Sequence, residues 1–231
     1  DSIGNHASGF ALGLLNPTNE TGNIETLNHL SFKMHKELLD TIQQESGVDA
    51  QVLSVPHLEL ALEEWEIPEI KAEVDRINGF EQFRSTWLEP GDVYAMEPRI
   101  TSDNYGGALV EDVTMLDSYN LTLATAQAAE SRGVEIVMAE STGVIYDGDR
   151  AVGIKCGKER IDCDAVVLAL GPWSGTASLW TDIDIPIVPQ KGEIVRVEGL
   201  HPSLGIHIHG YSLGSSCSVV QKGDGATWLA A

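Results

Sequence analysis

The amino-acid sequence predicts an α/β fold, α+β overall, in which helices alternate with short strands before the chain turns β-rich. Three observations carry this expectation. Residues 22–46 repeat apolar side chains at helical spacing, and residues 161–170 form an apolar run that stops at Gly171-Pro172. After Pro186, four short strand patterns follow one another closely.

Taken in order, Ile24, Leu27, Leu30, Met34, Leu38 and Ile42 mark one face of the first helix, and Gly47 stops it. Residues 51–62 alternate as a strand with Pro56 at a bend or edge, and Leu58, Leu60 and Leu62 read as core. Pro68 suits the first turn of a helix to about Ile77, ended by Asn78-Gly79, and Pro90 opens a shorter helix to Met96. A strand near Ala108–Val110 precedes a helix over Ser118–Ser131, closed by Gly133, and Val134–Met138 reads as a short strand. Gly143–Tyr146 and Ala151–Cys156 flank the tight turn Asp147-Gly148-Asp149. The run at 165–170 suits a strand buried on both faces of a parallel sheet. Gly171 permits close backbone approach, Pro172 ends the strand, and a short helix follows Trp173-Ser174. Helix, strand, hairpin and returning strand make half of a nucleotide-binding α/β unit with an antiparallel flap. Ligands bind at the carboxyl ends of such strands, so a cofactor is expected first at this strand end. Strands at 193–198, 206–209, 217–221 and 226–231 complete the pattern.

Bulk properties narrow the partners. A chain of 231 residues buries one or two domains, and its 42% hydrophobic and 21% charged content is ordinary for a globular protein. No apolar run reaches the about 18 residues of a membrane span. The net charge of −21, from 35 acidic against 14 basic residues, argues against nucleic acid or an anionic membrane and reads as a solvated acidic surface. Cys156, Cys163 and Cys217 show no C-x-x-C spacing and read as reduced, buried thiols. With no secretory signal at Asp1-Ser2-Ile3-Gly4, they predict a cytoplasmic protein. No G-x-G-x-x-G follows a strand, and the chain stops inside the apolar run Trp228-Leu229-Ala230-Ala231. The expectation is a piece of a longer protein, cut at both ends.

Four islands, in order and in register, resemble the D-amino-acid oxidase-like flavoproteins, particularly glycine oxidases and their D-amino-acid dehydrogenase relatives. The first is Ala7-Ser8-Gly9-Phe10-Ala11-Leu12-Gly13-Leu14-Leu15-Asn16-Pro17, and the second is Glu97-Pro98 followed by Gly106-Gly107-Ala108 and Asp117. The third is the stretch 161–174, and the fourth is Pro186-Ile187-Val188-Pro189-Gln190-Lys191-Gly192-Glu193. The resemblance implies a Rossmann-like three-layer FAD-binding domain formed by residues 1–50 and 115–178. A mainly antiparallel substrate domain would then comprise 51–114 and 179–231. An absent head of roughly 35 to 40 residues would carry the phosphate turn, so the piece alone is expected to hold FAD weakly and to be inactive.

The implied reaction is oxidation of the C–N bond of an amino acid or small amine by hydride transfer to FAD, bound without a covalent tether because Phe10 stands where some relatives place a linking His. The resemblance puts Ala7 and Ser8 near the pyrophosphate, and Ala11, Leu12 and Gly13 beneath the isoalloxazine ring. It puts Thr142 at the adenine end and Ala169 and Gly171 at the close-approach strand end. Ser218 occupies a position where glycine oxidases often carry Tyr, with Tyr211 able to substitute, and the substrate-clamping Arg would lie beyond residue 231. His207 and His209 share one strand face with His201 nearby, but no third ligand at metal spacing is visible. Two alternatives stay open: the oxidase module of a tRNA-modifying enzyme, disfavoured by the acidic charge, and a non-catalytic remnant of the fold. The oligomeric state is left open by the sequence.

Overall fold

The structure, a computed structural model, describes residues 2–16, 22–212 and 214–231, so Pro17 of the first island lies outside the described residues. The chain begins with a helical turn, Ala7–Phe10 (α1), and a two-residue strand, Leu14–Leu15 (β1). The predicted long helix spans Asn23–Ser46 (α2), and Gly47 ends it in the left-handed region at φ 71° with its N–H donating to the Gln43 carbonyl. Strand Leu53–Leu60 (β2) slips its register between Val55 and His57, at Pro56, which has no N–H to pair. A 3-10 turn at Glu64–Glu66 leads into Ile67–Ile77 (α3), with Pro68 in the first turn as expected. Next come Ser85–Leu88 (β3), Pro90–Met96 (α4) and Gly107–Met115 (β4). Helix Ser118–Ser131 (α5) is capped by Asp117, whose carboxylate accepts from the Asn120 N–H at 2.7 Å.

Strands Ser141–Asp147 (β5), Arg150–Cys156 (β6) and Glu159–Asp162 (β7) form an antiparallel meander turning at Asp147-Gly148-Asp149. The last strands are Ile194–Val197 (β8), His207–Ser212 (β9), Ser215–Gln221 (β10) and Thr227–Ala230 (β11). They join the earlier ones in a large sheet of order β1-β4-β2-β9-β10-β11-β8, with β3 also on β4. Its β2–β9 pair is parallel, and the other pairs are antiparallel. One face of the sheet packs Leu58, Leu60 and Ile206 against Val93, Ile100 and Leu204, so the predicted stripe of Leu58 and Leu60 is core. The mixed α/β class follows from this arrangement.

Three local expectations are corrected. Residues 134–138 and 165–170 form no strand, and Val167 is 88% exposed. A strand exists through its neighbour's hydrogen bonds, and no described strand pairs with either run. On α2 only Ile42 of the predicted stripe is buried, against Ala124 and Ala128 of α5, whereas Ile24, Leu27, Leu30, Met34 and Leu38 are exposed. The helix meets described partners along the side that carries Phe32 and Ile42, not along the whole periodic stripe. The thiols are less buried than expected: Cys217 is exposed, and Cys156 and Cys163 are half-buried.

Leu58 is fully enclosed, so Leu58→Ala should cost about 2–5 kcal/mol, read as a lower urea midpoint at unchanged slope. Val167→Ser should stay within about 0.5 kcal/mol of the parent.

Candidate functional site

Side chains alternate across a strand, so the residues that place Leu58 and Leu60 in the core turn His57 and Glu59 to the opposite face of β2. On β9 the same alternation places Ile208, like Ile206 just before the strand, against the core and leaves His207, His209 and Tyr211 on the other side. Parallel pairing aligns His57 with His207 and Glu59 with His209. Antiparallel pairing to β10 then aligns His209 with Ser218 and Tyr211 with Ser216. Three strands thus present a continuous polar patch on the back of an apolar core. With Leu12 and Leu14 at one side and Trp65, Glu66, Glu69 and Glu73 at the other, the patch lines a cavity of about 850 Å³.

The histidines form one coupled cluster. His57 and His207 stack with ring centroids 4.7 Å apart, and one Nδ1–H donates to the other Nδ1 across 2.6 Å. His207 is 2% exposed, and its Nε2 has no partner among the described residues. Burial, reinforced by the His209 ring, pulls His57 down to about 4. Burial, then His57 and His209, pulls His207 down to about 3. His209 is lowered by burial as well, and its Nδ1 lies 2.9 Å from the Ser218 hydroxyl. All three rings are therefore neutral at pH 7. Among the described residues no group of three or more His, Cys, Asp or Glu is arranged to hold a metal ion. On the same face burial raises Glu59, helped by Glu73, Glu69 and Glu66.

The segment 7–13 is held from behind. The Ser118 hydroxyl donates to the carbonyl of Ala11 at 2.6 Å, and the Lys222 ammonium donates to those of Leu12 at 2.7 Å and Leu116 at 2.5 Å. Lys222 is buried, with its Nζ 5.2 Å from the Trp228 ring centre. Burial lowers its pKa, while Asp117 and Asp224 oppose the shift. Gly13 sits at φ 79°, and a β-carbon there would lie 2.1 Å from the Leu116 carbonyl oxygen. Its small size is thus required by packing against the β4–α5 junction.

The predicted residues fall into three places. Ala7, Ser8 and Ala11 are exposed, while Leu12 and Gly13 are half-buried. The His6 ring meets Trp173 edge-on at 5.0 Å, so the first island and the turn after Gly171 are neighbours. Ala169 and Gly171 are exposed, and a β-carbon on Gly171 would meet no atom within 4 Å. Two adjoining segments with small, uncovered residues fit a flat ring system of the flavin kind. Thr142 is exposed on β5, its hydroxyl 3.5 Å from the Lys155 carbonyl, and no described contact joins it to the first island. Ser218 and Tyr211 both line the cavity, as does Leu12. Sequence reading missed His57, Glu59 and Lys222. For the first two the signal was present, since they stand out of phase with Leu58 and Leu60. For Lys222 it was not, because its partners lie 210 and 106 residues away.

Comparison with known proteins bears on this geometry. Residues 1–231 match the family DAO, FAD dependent oxidoreductase. The chain is 30% identical over 142 residues to the hydrogen cyanide synthase subunit HcnC of Pseudomonas protegens, covering 60% of this chain and 33% of that protein. It is 26% identical over 170 residues to a glycine oxidase of Bacillus subtilis, covering 72% of this chain and 44% of the relative. The fold superimposes on the crystal structure of glycine oxidase from Geobacillus kaustophilus with a TM-score of 0.89 at 22% identity. That superposition covers 98% of this chain and 61% of the other. The chain spans about a third to under a half of the length of the two curated relatives. Among the described residues no helix is long and apolar enough to cross a membrane. With the family match running the whole length of the sequence, this chain belongs to the DAO family of FAD-dependent oxidoreductases.

Proposed function

We propose that the protein containing this chain oxidises the C–N bond of an amino acid or small amine. The observation that carries this reading is the shared cavity: Leu12 of the first island lines the same space as His57, His207, Tyr211 and Ser218. In this reading Ala7 and Ser8 lie near the cofactor's pyrophosphate, and Ala11, Leu12 and Gly13 run beneath its ring. Ala169 and Gly171 give it close approach at the neighbouring turn, and Thr142 borders the adenine end. Bound FAD supplies the acceptor for the hydride that leaves the carbon bearing the amine.

The protein's own share of the work is orientation and keeping the reacting nitrogen uncharged. An alkylammonium holds its nitrogen lone pair in an N–H bond, so it must lose a proton before the adjacent carbon can release hydride. The His57–His207 pair is neutral throughout the physiological range, so it sets no positive charge beside the amine and favours the uncharged nitrogen, whose proton is left to solvent on binding. The Nε2 of His207 has spare hydrogen-bonding capacity toward that nitrogen. The Ser218 hydroxyl, held by His209, and Tyr211 orient the rest of the substrate.

Two experiments test this reading. The FAD-loaded protein should bleach at its flavin absorbance when mixed with a substrate amine without oxygen, more slowly when the reacting carbon carries deuterium. Absorbance that survives every amine and amino acid tried contradicts it. His207→Asn should lower kcat/KM by about 10²-fold, as expected for loss of a group that positions the reacting nitrogen.

The same rings give a pH signature in stability. Both are neutral when folded, whereas in the unfolded chain they take up protons from about 6.5 downward. The unfolded state therefore binds more protons as pH falls. Their contribution, whole above 6.5, is lost progressively down to about 4 for His57 and about 3 for His207. Melting temperature should fall over this window, and less steeply in His57→Asn.

A further inference from the structure

The far wall of the cavity is acidic, and among the described residues no Lys or Arg lines it. Two of its four carboxylates are already satisfied. Glu66 accepts from the N–H groups of Leu62 and Glu63 at 2.7 and 2.9 Å, and Glu73 pairs with Arg76. The carboxylates of Glu59 and Glu69 have no hydrogen bond or ion pair among the described residues, and Trp65, 64% exposed, lines the same cavity. An uncovered indole next to carboxylates is a surface that attracts organic cations.

Strand order gives the cavity two ends. Leu14 of β1 and Leu53 of β2 both pair with Met115, so the first island approaches β2 from its Leu53 end. His57 comes first from that side, Glu59 follows about 6.6 Å further along the strand, and Trp65 and Glu69 lie beyond the strand's end. The unpartnered Nε2 of the buried His207 marks the near end as a place for a polar ligand group.

We propose that this site takes a substrate with two cationic groups separated by a short alkyl chain, one amine at the His57–His207 end and the second held by Glu59, Glu69 and Trp65. The inference rests on the proposed amine oxidation for which amine reacts, while the acidic wall and its selectivity stand on their own geometry. Neutral histidines at the reacting end and carboxylates at the other make the two ends chemically unlike. The bound diamine is thereby oriented, with its distal ammonium in ion pairs and its proximal nitrogen free to give up a proton.

The test compares 1,4-diaminobutane with n-butylamine on the FAD-loaded protein at pH 7.5. The expected result is at least a tenfold preference for the diamine in kcat/KM, reduced several-fold in both Glu59→Gln and Glu69→Gln. Glu59→Gln keeps the side chain's size and removes a charge that burial opposes, so it should fold, and Glu69→Gln changes an exposed position. A ratio near one, or a preference that neither variant alters, overturns the proposal. Tryptophan fluorescence titration with the same two compounds separates the two readings. Tighter binding of the diamine, weakened in the variants, supports the two-cation site even if no amine is oxidised, in which case the proposed reaction fails alone. Equal binding of both compounds overturns the two-cation site whatever the protein oxidises.

Discussion

The parallel pairing of β2 with β9 is the constraint on which the rest depends. It sets His57 beside His207 and Glu59 beside His209 while committing Leu58, Leu60 and Ile206 to the core. Because the side-chain period is two, a slip of one residue would bury the histidines in the apolar layer and expose the leucines. The core and the polar cavity are two faces of one register, and the burial of Leu58 helps to hold the site in place. The Pro56 bulge sits upstream of this pairing and leaves residues 57–60 in regular alternation.

A second tie links the large sheet to the first island. Lys222, in the turn after β10, donates to Leu12 on one side and Leu116 on the other, bridging elements far apart in sequence. A buried ammonium is costly unless its hydrogen bonds are made, and here two carbonyls and a nearby indole supply partners. Gly13 allows the island to press against the same junction. The distance between the segment proposed to run beneath the flavin and the histidine face is therefore fixed by packing, which an oxidation needing close donor–acceptor approach requires.

How much of this was legible in the sequence depended on how local each signal is. Helix stops at Gly47 and Gly133, the Pro-initiated helices and the Asp147-Gly148 turn were readable because their causes lie within a few residues. The strand predicted at 165–170 failed because apolar composition says nothing about which neighbour will pair with it. Most of the α2 stripe failed in the same way, since period identifies a face but not its partner. The first island and the Gly171 turn were recognised from residue pattern, and their adjacency through His6 and Trp173 is a tertiary fact. His207 and His209 were visible as a same-face pair. Their union with His57 spans 150 residues and required the sheet order.

The central claim is that His57 and His207 form a shared, neutral, hydrogen-bonded pair facing the cavity. Nitrogen NMR on histidine-labelled protein measures this directly. The account predicts a scalar coupling between the two Nδ1 atoms across the hydrogen bond, and both rings neutral at pH 7 and still largely so at pH 5. Two rings titrating independently near 6.5, with no coupling between them, would contradict it.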